Sequence, residues 1–125
     1  MDQNFRFETL AIRSTHFKDQ QSYSVSTPIY PTSTYERMAD GSYPGGHVYR
    51  RMSNPNQDLL ENSIALLEKG EVGIAFASGM AAISSVFQVL KPGDHVLVPD
   101  DVYFTLLNFL KQIMTGWGLE IGQAD

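Results

Sequence analysis

"AFASGMAAIS", residues 75–84, is the stretch on which the fold turns. Just ahead of its centre, "EVGIAFA" (71–77) alternates Val72, Ile74 and Phe76 with Gly73, Ala75 and Ala77. Both faces are apolar, one bulky and one small, which suits a strand buried on both sides of a sheet. Behind it, Met80, Ile83, Phe87 and Leu90 recur at helical spacing and predict a helix from about Gly79 to Leu90. Ser78, Gly79 and Met80 therefore fall where a strand becomes a helix. In an open α/β sheet, ligands collect at such carboxyl ends of strands. The first helical turn offers N–H groups without internal partners, and their partial positive charge suits a phosphate. Gly79 removes a Cβ that would block close approach. Ser78 can cap the helix or donate its hydroxyl to a phosphate oxygen, and Ala81 and Ala82 keep the turn slim. Tight packing explains the same small residues, so the stretch alone leaves both readings open. No G-K-[ST] follows, and the G-x-G-x-x-G spacing is absent, which excludes a Walker loop and the dinucleotide fingerprint.

Working outward, "NPNQ" (54–57) predicts a helix start, with Asn54 as N-cap, Pro55 at the first position and Gln57 where a capping box wants Glu or Gln. Leu60, Ile64 and Leu67, widened by Leu59 and Leu66, form its predicted apolar stripe, with Glu61 and Glu68 toward solvent and Gly70 as the stop. "KPGD" (91–94) is a turn and "HVLVP" (95–99) a short buried strand. "DDVYFTLLNFLKQIM" (100–114) reads as a third helix capped by Asp101, its apolar side formed by Leu106, Leu107, Leu110, Ile113 and Met114. "GWG" (116–118) breaks it, with Trp117 as a packing anchor, and "LEI" (119–121) opens another strand. Alternating helices and strands predict an α/β class with a parallel sheet. A three-stranded sheet with an open edge is a poor stopping point, so the expectation is the front part of a longer protein.

The composition narrows the function. The 125 residues carry 9 basic and 14 acidic side chains, a net charge of −5, and the basic ones form no stripe, which argues against nucleic-acid binding. There are no cysteines, which excludes disulfides and thiolate metal sites. No apolar run approaches the roughly 20 residues needed to span a bilayer. The N-terminus lacks a basic-then-apolar signal pattern, so the default placement is cytoplasmic. His16, His47 and His95 lie far apart and lack metal-ligand spacing. Asp100 and Asp101 read as helix capping before they read as an acid–base pair.

Residues 1–53 form a loop-rich arm with no sustained period, while 54–125 read as the regular α/β domain. The arm holds Phe5, Phe7, Phe17, Tyr23, Tyr30, Tyr35, Tyr43 and Tyr49, too many rings for plain disorder, and is expected to pack on a partner surface. At its end, "VYRR" (48–51) clusters Tyr49, Arg50 and Arg51. Arginine is the usual fork for phosphate or carboxylate, although adjacent arginines are more often a solvated surface. Tyr103, at the start of the third helix, can cover a planar ring or simply pack on the helix below it.

Taken together, "VYRRMSNPNQDLLENSIALLEKGEVGIAFASGMAAISSVFQVLKPGDHVLVPDDVY" (48–103), with "TPIYPTSTY" (27–35), closely resembles the Cys/Met-metabolism family of pyridoxal-phosphate enzymes. These include cystathionine γ-synthase, the cystathionine β- and γ-lyases, methionine γ-lyase and the homoserine sulfhydrylases. The resemblance implies the N-terminal part of a type I, aspartate-aminotransferase-like fold, with a parallel-rich sheet, flanking helices and a preceding arm. It implies pyridoxal 5'-phosphate as cofactor, an amino-acid substrate, and a homo-oligomer (a dimer of dimers) with a shared active site. Residue by residue, it places the backbone amides of Gly79 and Met80, with Ser78 beside them, on the cofactor phosphate. It stacks Tyr103 on the pyridine ring, with a catalytic part in proton transfer. Tyr49 and Arg51 reach the phosphate of the neighbouring subunit's cofactor. Arg50, Asn56 and Phe104 depart from the residues frequent there (Ser, Thr and Gly), and Phe104 narrows the expected pocket mouth. None of Lys18, Lys69, Lys91 and Lys111 suits the catalytic lysine, which is expected beyond residue 125 together with the aspartate at the pyridine nitrogen. A transsulfuration enzyme performing β/γ-elimination or γ-replacement is the implied activity of the whole protein. A truncated, non-catalytic anion-binding domain and a flavodoxin-like phosphate binder are the competing readings.

Overall fold

The computed structural model describes residues 5–14 and 22–125. His16, Phe17 and Lys18, named above, lie outside the described residues. The chain divides into two compact units, Met1–Ala75 and Phe76–Asp125.

The first unit is organised by the start of one helix. Helix α1 (Phe7–Arg13) is followed by an arm without regular structure and then by α2 (Pro55–Glu68). The α1 helix is an addition to the sequence reading; seven residues are too few to show a period. Asn54 is the N-cap of α2, and its Oδ1 accepts from the Asn56 N–H at 2.9 Å with Pro55 in the first turn, as expected. The other end of the same side chain reaches into the arm, where Nδ2 donates to the Tyr30 carbonyl (3.3 Å) and the Tyr35 hydroxyl (3.2 Å). Asn56 completes the seam. It accepts from the Tyr30 N–H and donates to the Pro28 carbonyl, both at 2.8 Å. The carboxamide carries its acceptor and its donor on separate atoms, so this one side chain makes both bonds to the arm. Further along α2, the Ser63 hydroxyl lies between the Leu59 and Ser14 carbonyls, tying the end of α1 to the helix.

The rest of α2 departs from expectation in instructive ways. Gln57 does not close a capping box; its Nε2 donates to Glu61 Oε1 (2.9 Å) one turn on. Leu60 and Ile64 are exposed, while Ser63 and Ala65 are buried. The two buried residues are small and lie on different sides of the helix, Ser63 against Ser14 at the end of α1 and Ala65 beside Gly70. The left-handed residue at the C-terminus is Lys69 (φ 57°) rather than Gly70, whose N–H closes back on the Ala65 carbonyl at 2.8 Å. Residues 71–77 form no strand. Val72 and Ile74 are 76% and 70% exposed, and the segment joins no ladder among the described residues. Apolar alternation reports what a strand would bury, whereas a strand exists only through a neighbour's backbone. What holds this segment is α2. Ala75 N–H donates to Glu61 Oε1 at 2.8 Å, and a Cβ on Gly73 would sit 2.4 Å from the Glu61 carbonyl oxygen. Glu61 therefore faces the chain rather than solvent.

The second unit is a helix–strand–helix–strand run: α3 (Gly79–Phe87), β1 (His95–Pro99), α4 (Phe104–Phe109) and β2 (Glu120–Ala124). Strands β1 and β2 pair in parallel from His95↔Glu120 to Pro99↔Ala124. The pairing extends at both ends through Glu120 N–H to the Asp94 carbonyl and Asp100 N–H to the Ala124 carbonyl. The predicted long third helix is shorter and changes pitch. It begins at Phe104, widens to a π-helical turn over Leu110–Met114 and tightens to 3₁₀ over Thr115–Trp117. Asp101 does not cap it; the residue before it is Tyr103, which makes no side-chain cap. Gly118 ends it in the left-handed region (φ 91°), with Pro92 so close that a Cβ would lie 2.9 Å from the proline Cβ.

Leu106, Leu110, Met114, Leu119 and Val98 form the buried core, with Met80, Ile83, Phe87, Val96, Val102 and Ile121 packed against it. Leu106, Leu110 and Met114 stand four residues apart and share one side of the helix. Ile113, expected on that face, is turned out, and Leu90, Leu97 and Trp117 are also exposed. Trp117 is not a packing anchor within the described chain.

Leu110 is fully enclosed, so Leu110→Ala is expected to cost about 2–5 kcal/mol by denaturant unfolding, against about 1 kcal/mol or less for Ile113→Ala. Asn56→Ala, which removes two bonds to the arm, is expected to cost about 1–3 kcal/mol in the same measurement. The Ala75 N–H, and next the Gln57 amide, hold the Glu61 carboxyl below the usual carboxylate range. A carboxyl whose folded value is depressed stabilises fully above its unfolded value and loses that contribution as pH falls through the folded one. The protection factor of the Ala75 amide should therefore drop at acid pH below the ordinary glutamate range, and Glu61→Gln should make it independent of pH there.

Candidate functional site

Helix α3 opens with its donors turned outward. Ser78 is extended (φ −156°, ψ 157°), and its Oγ accepts from the Ala81 N–H at 3.1 Å. The Ala82 N–H is taken by the Ser78 carbonyl at 3.1 Å. Among the described residues no acceptor takes the N–H groups of Gly79 or Met80. A Cβ added at Gly79 would meet nothing within 4 Å, so the space in front of these donors is open. Ser78 has spent a lone pair on the cap, which leaves its hydroxyl hydrogen available to an oxygen outside the helix. Two aligned N–H groups, a hydroxyl and the positive end of a helix make an anion cradle.

Tyr103 stands before the first residue of α4, beyond the carboxyl end of β1, and is 62% exposed. Its ring has no ring partner among the described residues. Met80 and Val102, the neighbours of Gly79 and Tyr103 in the chain, pack against one core, so both helix starts are fixed by the same buried residues. Phe104, the next residue, is also exposed. A free ring face and an open anion cradle in one compact unit are what an aromatic phosphate ester requires. The residues present therefore fit such a group.

Tyr49 and Arg51 belong to the first unit and are described there alone. The Thr34–Tyr49 bridge and the Arg50 N–H to Ser33 carbonyl bond (2.9 Å) fix the backbone. The Met52 and Ser53 N–H groups both turn back on the Tyr49 carbonyl. The Arg51 guanidinium lies 4.4 Å from the centre of the Tyr49 ring, with Nη1 3.4 Å from the Tyr49 hydroxyl. Stacking of this kind holds the cation without neutralising it. No carboxylate pairs with Arg51 among the described residues. His47, close by in sequence, is committed elsewhere, with Nδ1 2.9 Å from Ser53 Oγ, Nε2 3.6 Å from Asp58, and its ring tilted on Tyr35. A groove of about 410 Å³ between α1 and the end of α2, lined by Phe5, Leu10 and Ala65 among others, holds none of the predicted site residues.

The sequence profile of the Cys/Met metabolism PLP-dependent enzymes matches residues 8–125. The chain belongs to this family. It is 39% identical over 113 residues to cystathionine gamma-synthase of Mycobacterium leprae, covering 90% of this chain and 29% of that protein. It is 39% identical over 118 residues to cystathionine gamma-lyase of Bacillus subtilis, covering 94% and 31%. The crystal structure of metB from Corynebacterium glutamicum superimposes with a TM-score of 0.93 at 35% identity, over 100% of this chain and 33% of that one. The cystathionine gamma-lyase of Lactobacillus plantarum, crystallised with L-serine, gives 0.86 at 35% identity over 97% and 31%. The chain thus spans about a third of the length of these relatives.

Within the family frame, the lysines are informative. Lys69, Lys91 and Lys111 are all exposed, and Lys111 Nζ donates to Gln123 Oε1. A lysine that works as nucleophile and base needs partial desolvation. None of the three has it. Sequence reasoning missed the part played in the first unit by two residues: Asn56, read only as a departure from the residue frequent there, and Glu61, read as solvent-facing. Glu61 carried one usable signal, namely Gln57 at i−4, a spacing that places the two side chains together on a helix.

Ser78→Ala deletes the α3 cap and is expected to lower stability by about 1 kcal/mol, read as a shift in denaturant midpoint, with Ser78→Asp retaining most of it.

Proposed function

We propose that the whole protein is a pyridoxal-phosphate-dependent transsulfuration enzyme that acts on sulfur amino acids or activated homoserine. It is a cystathionine γ-synthase or cystathionine lyase type, catalysing β/γ-elimination or γ-replacement. The observation that carries this reading is the pair of unclaimed N–H groups at Gly79 and Met80 facing open space, within a chain of this family. When bound, pyridoxal phosphate supplies an electron sink for the α-carbon of an amino acid. The residues of this chain bind and orient it. Gly79 and Met80 donate their backbone N–H groups to the phosphate, and the Ser78 hydroxyl adds a third bond. Tyr103 covers the pyridine ring, holds its attitude and stands where its hydroxyl can move a proton.

Tyr49 and Arg51 serve, in this reading, the phosphate of a neighbouring subunit's cofactor. The arm (1–53) is then an intersubunit element, residues 54–125 open the cofactor domain, and the working form is a homo-oligomer, a dimer of dimers. The stacked, carboxylate-free state of Arg51 supports this, since a cation already paired with an acid would bind a dianion poorly. The catalytic lysine is not Lys69, Lys91 or Lys111. Cytoplasmic placement accords with a chain that has no cysteine and, among the described residues, no helix long and apolar enough to cross a membrane.

The test uses the protein produced at its natural length. Gly79→Pro is the informative substitution. Proline is favoured at the first helical position, and the extended Ser78 already has the backbone that a following proline demands. The helix should persist while one phosphate donor disappears, and retention of pyridoxal phosphate should fall about tenfold or more, the loss of one charge-assisted hydrogen bond. Arg51→Ala should weaken retention similarly, and only in the assembled oligomer. Turnover of cystathionine, or of O-activated homoserine with cysteine, then separates lyase from synthase. Unchanged retention in Gly79→Pro refutes the placement of the phosphate.

A further inference from the structure

Tyr49, Arg50 and Arg51 ride on a short turn within the first unit, and backbone bonds fix part of it. Tyr49 is held by its bridge to Thr34 and Arg50 by its N–H bond to the Ser33 carbonyl, while the Met52 and Ser53 N–H groups close on the Tyr49 carbonyl. Among the described residues no acceptor takes the Arg51 N–H. Arg51 is therefore the free corner of the turn, and its aim follows from where the two flanks are pinned. A single side chain joins those flanks. His47, two residues before Tyr49, places Nδ1 2.9 Å from the Oγ of Ser53, two residues after Arg51. Its Nε2 lies 3.6 Å from Asp58 in the first turn of α2, and its ring is tilted on Tyr35. The imidazole is 14% exposed and the Asp58 carboxylate 43%. The bond to Ser53 is thus shielded from water, whereas the pair with Asp58 is partly screened and contributes less.

We propose that His47 is a positioning residue for Arg51: by bonding Ser53 across the turn, with its ring seated on Tyr35, it closes residues 47–53 into a loop and sets the direction in which the guanidinium is presented. This rests on the reading of Arg51 as a contact of a neighbouring subunit's cofactor phosphate. Arginine meets a phosphate through a planar fork, and hydrogen bonds weaken steeply once misaligned. A turn that opens therefore loses anion affinity even though the cation remains. The Ser53 hydroxyl can donate to the imidazole or accept from it, so the closing bond depends on the placement of the two groups rather than on the charge of the ring. Phenylalanine at position 47 keeps a ring against Tyr35 and loses the bond to Ser53, which separates closure of the loop from packing.

The experiment measures pyridoxal-phosphate release from the assembled, natural-length holoenzyme into a trapping apo-protein, and amide exchange over residues 49–53 in the cofactor-free protein. His47→Phe and Ser53→Ala are each expected to speed both exchange and release by about three- to tenfold, the scale of one lost hydrogen bond. The double variant should release at the rate of either single one, because the two changes delete the same bond. Release that equals the product of the two single effects overturns the proposal. If both single variants release at the parental rate while Arg51→Ala releases quickly, the positioning role is wrong and the phosphate contact stands. If Arg51→Ala is also parental, the contact itself is wrong, and this inference goes with it. Should His47→Phe fail to fold, Ser53→Ala and Ser53→Thr decide alone. Threonine restores the hydroxyl and should release at the parental rate; equal release from the two overturns the proposal.

Discussion

Everything in the second unit leans on the burial of Leu110 and Met114. These are its two most enclosed side chains, and with Leu106 they stand four residues apart and so share one face of the helix. Ile113, one residue before Met114, lies off that face and is exposed. Strand β1 packs on this core through Val98, α3 through Met80, Ile83 and Phe87, and the turn before α4 through Val102. The starts of α3 and α4 are therefore held by one buried core. This is how a rigid interior gives two exposed groups a fixed relation.

The first unit solves a different problem. A loop-rich segment has few backbone partners of its own, and carboxamides supply them. Asn54 and Asn56 satisfy the α2 start and the backbone at Pro28 and Tyr30 together. An asparagine side chain carries a donor and an acceptor on one planar group, so one residue can face a helix end and an irregular strand at once. The result places Tyr49 and Arg51 at the end of a segment fixed on both flanks, by the Thr34 bridge and by α2.

Much of this was legible in the sequence where the signal is local. The start of α2 was readable because capping chemistry involves three adjacent residues. The turn at "KPGD" was readable for the same reason, and in the structure the Lys91 N–H bonds Asp94 Oδ2 at 2.8 Å. The parallel pair β1–β2 and the junction at Ser78-Gly79 followed from apolar runs broken by small residues. What was not legible depends on distant partners. Residues 71–77 have the alternation of a buried strand, but their hydrogen bonds go to Glu61, fourteen positions back from Ala75. The Leu60–Ile64 stripe looked like a core face because periodicity ranks residues by apolarity, whereas the positions that close contacts bury are small ones, Ser63 against Ser14 and Ala65 beside Gly70. The change of pitch after Phe109 leaves no mark in composition at all. Among the candidate site residues, each position singled out by motif lies at a helix start or turn, while Glu61 and Asn56, which the sequence did not single out, are polar groups whose value appears only with their partners.

The contact between Arg51 and Tyr49 has a thermodynamic consequence. A free arginine side chain samples many rotamers, and immobilising it on an anion forfeits about 0.5–1.5 kcal/mol of that freedom. Here the guanidinium already rests on an aromatic face 4.4 Å away, two residues along the same turn. Much of that ordering is thus already in place, and among the described residues the Tyr49 hydroxyl takes a guanidinium N–H bond from Nη1. A lysine at this position would be mobile and spherical in its charge, and it would have to be stilled anew at every encounter.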